Sequence, residues 1–225
     1  MAAVLGEVMI AEVPVKGYFE ENCFFFIDDK TKHGFIIDPG AQADGLLDMV
    51  RKNGWKIEKI LLTHGHFDHT GAVNKIREAL RIPVFAHRRS DEYLLDATKN
   101  LSALCGPAVI VRNVEHLDDG DLVALEANPD FYVKTIYVPG HTTDSVMFYS
   151  ETGHVAFVGD TIFKGSIGNY QYPGGNPEDL QRSIIEYIFT LPDETILCSG
   201  HSEQTTVGIE KKAINAGNCK EANSD

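Results

Sequence analysis

The stretch Thr63-His64-Gly65-His66-Phe67-Asp68-His69-Thr70 decides how this chain is read, because it sets four metal-binding side chains within six residues. A short, mostly apolar run, Ile57-Glu58-Lys59-Ile60-Leu61-Leu62, precedes it and predicts a buried strand, so the histidines sit where a strand runs out. On extended chain, residues two apart point the same way, and His64 and His66 can face one ion. Asp68 and His69 are neighbours and would diverge; both turn inward only if the backbone bends into a helix that begins near Thr70. With 9 histidines in 225 residues, a chance match to His-x-His-x-Asp-His is on the order of one in a thousand. So many titratable groups in one turn need a cation to hold them together.

Toward the N-terminus, 7–15 alternates apolar and polar residues and 22–27 is a more continuous apolar run, two strands joined by 16–21. Residues 34–37 make a third strand, stopped by the turn chemistry of Asp38-Pro39-Gly40. A short helix over 43–51 carries Leu46, Leu47 and Val50 on one face. Beyond the histidines, 72–80 predicts a helix with Val73, Ile76, Ala79 and Leu80 inward, and 83–86 a strand, so this part reads βββαβαβ. A capped helix follows over 90–96, starting at Ser90 or Asp91; 100–113 has no clear period and predicts loop or local helix. Strands at 122–125, 131–138, 145–149 and 155–158 imply a sandwich of sheets. A helix over 178–189 with Leu180, Ile184, Ile185 and Ile188 inward, a strand at 195–198 and a closing helix over 205–214 complete the pattern. No linker divides the chain, so one domain over 1–214 is expected, with a polar, disordered tail at 215–225.

A content of 43% hydrophobic and 24% charged residues is ordinary for a globular protein. The formal net charge of -13 speaks against a nucleic-acid partner, and pairs such as Arg88-Arg89 and Lys211-Lys212 are not interleaved with aromatics. Cys23, Cys105, Cys198 and Cys219 lack CxxC spacing, which points to free thiols in a reducing compartment. Glu7 and Glu12 interrupt any apolar leader and no run is long enough to cross a bilayer, so a cytoplasmic protein without a membrane partner is expected. The oligomeric state stays open.

Three further candidates sit where a strand ends in glycine: His141 in Pro139-Gly140-His141, Asp160 after Gly159, and His201 after Gly200. A glycine lets the backbone turn sharply, which presents the next side chain at the rim of a sheet. With the 63–70 stretch they complete a set that resembles the metallo-β-lactamase fold superfamily over 7–214. The resemblance implies an α/β fold, a four-layer αββα sandwich of two mixed β-sheets flanked by helices. It also implies two divalent metal ions at one edge between the sheets, zinc by default, with iron or manganese equally compatible with imidazole and carboxylate ligands. Position by position, it seats one metal on His64, His66 and His141 and the second on Asp68, His69 and His201, with Asp160 bridging. His33, His87, His116 and His154 match no ligand position and are expected at the surface or behind the ligands.

Asp160, where many true β-lactamases carry cysteine, and His66, where flavin-linked diiron oxidoreductases typically carry a carboxylate, separate the chain from those groups. The surroundings Gly159 to Gly168, Pro173-Gly174-Gly175 and Gly200-His201 with Thr205-Thr206-Val207-Gly208 are most similar to the hydroxyacylglutathione hydrolase, or glyoxalase II-like, branch. Two features depart from it. Asn169-Tyr170-Gln171 stands where that branch commonly has Arg-Thr/Ser-Asp, and the segment beyond His201 is shorter than the helical extension that holds glutathione in larger members. The implied activity is hydrolysis of a small-molecule thioester or ester by a hydroxide bridging the metals, with Asp68 both holding the second metal and taking the nucleophile's proton. The same ligands also admit a mononuclear iron persulfide dioxygenase using His64, His141 and Asp160, and a lactonase or other ester hydrolase. Tyr18, Tyr170 and Tyr172 lie on connections that can rim the site and are the candidate substrate contacts. Asp38 is either a partner of a ligand histidine or a turn former.

Overall fold

The computed structural model describes residues 2–5, 8–215 and 220–221. In chain order, the first half forms β1 (Ala2–Leu5), β2 (Val8–Lys16), β3 (Glu20–Asp28), β4 (His33–Ile37), α1 (Ala43–Asn53), β5 (Lys56–Leu61), α2 (Phe67–Thr70), α3 (Val73–Leu80), β6 (Val84–His87), α4 (Asp91–Leu94), α5 (Ser102–Cys105) and β7 (Glu115–Leu117). Its strands lie side by side in sequence order, antiparallel from β1 to β4 and parallel from β4 to β7. The second half forms β8 (Leu122–Ala124), β9 (Tyr132–Tyr137), β10 (Val146–Ser150), β11 (Val155–Gly159), a hairpin of β12 (Ile162–Phe163) and β13 (Ser166–Ile167), α6 (Pro177–Glu186), β14 (Ile196–Ser199), β15 (Thr205–Thr206) and α7 (Val207–Asn215). Its main sheet has the order β15-β14-β11-β10-β9-β8, with β11 and β14 parallel and the other neighbours antiparallel.

Alternation along each strand sorts side chains into separate cores. From β3, Phe24 and Phe26 face the second sheet, while Cys23, Phe25 and Ile27 pack with Leu46, Leu47 and Val50 of α1 and Val73 and Ile76 of α3. Val146, Phe148, Val155 and Phe157 of β10 and β11 meet Phe24 and Phe26; Met147, Ala156 and Val158 turn the other way, onto Leu180 and Ile184 of α6. An apolar layer on either side of each of two mixed sheets is the αββα sandwich that the resemblance implied. Phe26 is central to it, with ring centroids 4.6 Å from Phe131 and 5.4 Å from Phe157.

Several local expectations are corrected. α6 starts earlier than the apolar pattern, because Pro177 opens it and the Asn176 side chain accepts from the Glu178 and Asp179 N–H groups. It also ends at Glu186, and Ile188–Thr190 continues as a 3-10 turn that keeps Ile188 buried and leaves Ile185 51% exposed. On α3 the buried stripe is Val73 and Ile76, with Leu80 packed against it, and Ala79 lies off the stripe and is exposed. Thr205 and Thr206 pair with β14 before the closing helix begins. β7 and the β12–β13 hairpin were not anticipated: of β7 only Leu117 is buried, so it has no alternation to read. Of the expected tail, Asn215 ends α7 and Lys220–Glu221 pair with β13, and the rest lies outside the described residues, as do Glu7 and Cys219. Among the described residues Cys23, Cys105 and Cys198 are free thiols, and no helix is long and apolar enough to cross a membrane.

Phe26→Ala removes the ring shared by both sheets. It is expected to cost about 3–5 kcal/mol, read as a lower urea midpoint with an unchanged slope.

Candidate metal centre

Strand direction collects the candidate ligands on one edge. β9, β11 and β14 run the same way, so His141, Asp160 and His201 leave the second sheet side by side. β5 delivers His64 and His66 from the first sheet. At Phe67 the backbone turns into α2, the bend that the adjacent Asp68 and His69 require. Two glycines are fixed by closeness of approach. A Cβ on Gly65 would lie 2.5 Å from Tyr93 Cβ, and one on Gly200 would lie 2.4 Å from Asp160 Oδ1 and 2.5 Å from His69 Cε1.

The structure brings all the candidate ligands together, as two trios that meet at Asp160. In the first, His64 Nε2 and His141 Nε2 lie 3.1 and 3.0 Å from His66 Nδ1. In the second, His201 Nε2 is 3.2 Å from Asp68 Oδ2. Asp160 reaches both: Oδ1 is 3.3 Å from His69 Nε2, and Oδ2 is 3.4 Å from His201 Nε2 and 3.6 Å from His141 Nε2. Within His64, His66 and His141, and again within Asp68, His69 and His201, the ligand atoms lie within 4.8 Å of one another.

On His69, His141 and His201 the ring nitrogen that points away from this centre is already engaged, whereas the outward Nε2 of His66 is buried without a hydrogen-bond partner. His141 Nδ1 lies 2.6 Å from the Asn169 carbonyl oxygen and His201 Nδ1 lies 2.7 Å from that of Glu20. A carbonyl only accepts, so each Nδ1 carries the hydrogen. His69 Nδ1 is 3.0 Å from Asp38 Oδ2, and the same carboxylate accepts from the Thr63 N–H at 2.8 Å and hydroxyl at 2.5 Å. Asp38 is therefore the histidine's partner as well as the end of a strand. In neutral rings the Nε2 atoms of His69, His141 and His201 are lone pairs, and they face carboxylate oxygens. That arrangement fits divalent cations: nitrogen and oxygen donors converge, and their far sides are held in one tautomer.

Protons respond to the same crowding. Burial opposes a charge on His201, but the Asp160 and Asp68 carboxylates override it and push its pKa up to about 11. His69, buried too, is raised by the same pair. In the other trio burial and the neighbouring imidazoles act together, taking His66 down to about 3 and His64 well below its ordinary value. Despite its burial, Asp160 is held well below the usual carboxylate range by His201 and His69.

Of the candidate substrate contacts, Tyr172 stands edge-on to His66 and His141, with centroids at 5.8 and 6.4 Å. Tyr18 lies beside Phe67 at 6.5 Å, whereas Tyr170 packs against the core on the α6 side. His87 is neither at the surface nor behind the ligands, being buried and stacked on Tyr137 at 4.5 Å. Two supporting residues escaped the sequence reading. The Asn22 amide donates to the carbonyls of Ser199 at 3.1 Å and Ser202 at 2.9 Å, fixing the His201 turn to β3; its signal was an amide inside an apolar strand. Tyr93, buried 5.9 Å from the His66 ring, donates its hydroxyl to the Pro173 carbonyl, and nothing in its own helix marks it.

A profile of the metallo-beta-lactamase superfamily matches residues 17–201. The chain is 37% identical to the probable metallo-hydrolase YqgX of Bacillus subtilis, over 87% of this chain and 91% of that one. It is 30% identical to the hydroxyacylglutathione hydrolase GloC of Haemophilus influenzae, over 89% and 94%. Among solved structures, the B3 metallo-beta-lactamase BLEG-1 superposes with a TM-score of 0.85 at 32% identity, covering 91% of this chain and 97% of that one. TTHA1623 in a di-iron-bound form gives 0.77 at 33%, covering 89% and 98%.

Asp38→Ala frees the His69 ring and leaves Thr63 without its acceptor. Affinity for the more weakly held metal is expected to fall about 10- to 100-fold, measured by competition with a chromogenic chelator. Asp144, buried next to Gly65, has its carboxyl pushed by burial up to about 7. A carboxyl raised by folding favours the fold below its unfolded value, near 3.9, and that stability is lost as pH rises through about 7. The urea midpoint of the metal-free protein, taken relative to that of Asp144→Asn at each pH, should therefore fall over that window.

Proposed function

We propose, for a chain that belongs to the metallo-beta-lactamase superfamily, that it is a dinuclear metallohydrolase cleaving thioesters of the acyl-glutathione kind. His64, His66 and His141 would hold one ion and Asp68, His69 and His201 the other, with the Asp160 carboxylate within reach of both trios. The observation that supports this most is the convergence of ring lone pairs and carboxylates on Asp160, with every Nδ1 of His69, His141 and His201 already committed. Bound there, divalent ions supply a water whose pKa is lowered toward about 7 and a positive field on the carbonyl oxygen.

The remaining work falls to the chain's own residues. Burial would raise the Asp68 carboxyl, but His69 and His201 hold it below its ordinary value, so it is ionised at neutral pH and able to accept a proton. Water adds its oxygen to the acyl carbon as the carbon–sulfur bond breaks, and the proton that Asp68 takes goes to the departing thiolate. Asp38, Glu20 and Asn169 keep the rings of His69, His201 and His141 from turning. Phe67 and Tyr172 bring apolar surface to the rim.

The likeness to GloC supports the thioester, and the likeness to BLEG-1 makes a β-lactam the second reading. Zinc is the default metal, and the likeness to a structure in a di-iron-bound form supports iron as the alternative. Free thiols suit a cytoplasmic setting.

Metal content per chain, measured with hydrolysis of lactoyl-glutathione, a simple acyl-thiol, a chromogenic cephalosporin and a lactone, tests the proposal. Two metals with thioester turnover are expected. Faster cleavage of the cephalosporin or lactone would replace the substrate class, and one iron with oxygen uptake on a persulfide would replace the reaction. Asp68→Asn is expected to lower kcat by about a hundred- to ten-thousandfold.

A further inference from the structure

A cleft of about 180 Å3 opens beside the metal centre, and Asp68 lines it. Its walls are Tyr18 and Phe19 from the β2–β3 connection, Phe67, Cys105 at the end of α5, and Pro107 and Val109 from the segment that follows. Three of these rings form one cluster: Tyr18 meets Phe19 edge-on at 5.0 Å, and Phe19 meets Phe67 at 6.0 Å. Phe67 directly precedes Asp68, so the apolar wall is tied covalently to the carboxylate. Tyr18 is 66% exposed and Phe19 40%, far more than aromatic surface beside a buried centre needs for folding. Among the described residues no lysine, arginine or histidine lines the cleft, so the carboxylates of a glutathione moiety would find no cation from them.

Resting on the thioester reading, we infer that this cleft is the acyl subsite, and that the substrate carries an uncharged aliphatic acyl group rather than a hydroxylated one. An apolar cavity of about 150 Å3 accepts a benzene ring, so acyl chains of up to about six carbons fit. The thiol portion of the substrate leaves by another route, away from the aromatic wall. Chain length is then read by burial against Phe19, Phe67 and Val109, and a hydroxyl on the chain would lose water against those apolar walls. Phe19 and Cys105 act as specificity-determining residues for the reaction that Asp68 serves.

A series of N-acetylcysteamine thioesters, from acetyl to octanoyl with lactoyl included, tests this on the metal-loaded enzyme, since only the acyl group varies. Each added methylene is expected to raise kcat/KM about fourfold, with a maximum at about six carbons. Lactoyl is expected to fall below butyryl. Cys105→Phe narrows the cleft and is expected to cut the hexanoyl-to-acetyl ratio tenfold or more; Phe19→Ala, at an exposed position, is expected to flatten the slope. Calorimetric binding of the matching free carboxylates, acetate to octanoate, gives a readout that needs no turnover. Chain-dependent binding that Cys105→Phe abolishes, without cleavage of any thioester, would remove the thioester reading and keep the apolar subsite. Thioester cleavage indifferent to chain length, or faster for lactoyl, would keep that reading and overturn this inference.

Discussion

Lone pairs that face carboxylates are the constraint on which this structure turns. The Nε2 atoms of His69 and His201 approach Asp160 at 3.3 and 3.4 Å, and each ring has already given its hydrogen to another acceptor. Left alone, such atoms repel, and burial denies them water. Cations, or protons in their place, turn the repulsion into cohesion. The opposite directions taken by the two trios follow directly: carboxylates raise His69 and His201, while burial, aided by the neighbouring imidazoles, takes His64 and His66 downward.

The fold supplies what this arrangement needs, which is several strand ends arriving at one place from two directions. Parallel alignment of β9, β11 and β14 aims three of them, and β5 in the opposing sheet aims the fourth. The apolar layer between the sheets, with Phe26, Phe131 and Phe157 at its middle, holds those ends in register. A hydrogen-bonded shell of Asp38, Thr63, Asn22 and the Glu20 carbonyl then leaves the imidazoles of His69 and His201 one orientation.

Strands with clear alternation and the residues that converge on the centre could be read in the amino-acid sequence, because the signals of both are local. His64 to His69 lie in one turn, and His141, Asp160 and His201 each follow a strand-ending glycine. What could not be read was settled by packing. β7 has one buried side chain and exists because β6 offers it an edge. Ile185 looked inward by its apolar character, yet the buried stripe of α6 is Leu180, Ser183 and Ile184, and Ile185 lies one position off it, 51% exposed. Tyr170 and Tyr172 are two residues apart on the same loop and part company, one to a core and one to the histidines, a choice that no spacing rule makes.

The pairing of Glu20 with His201 spans 181 positions. During synthesis the first sheet can form early, and the three-histidine seat is complete once residue 141 has been made. The second seat waits for the closing turn that Asn22 clamps. A nascent chain therefore carries Tyr18, Phe19, Phe67 and five of its seven candidate ligands well before the centre can close, and that closure comes in the last step of folding rather than growing with it.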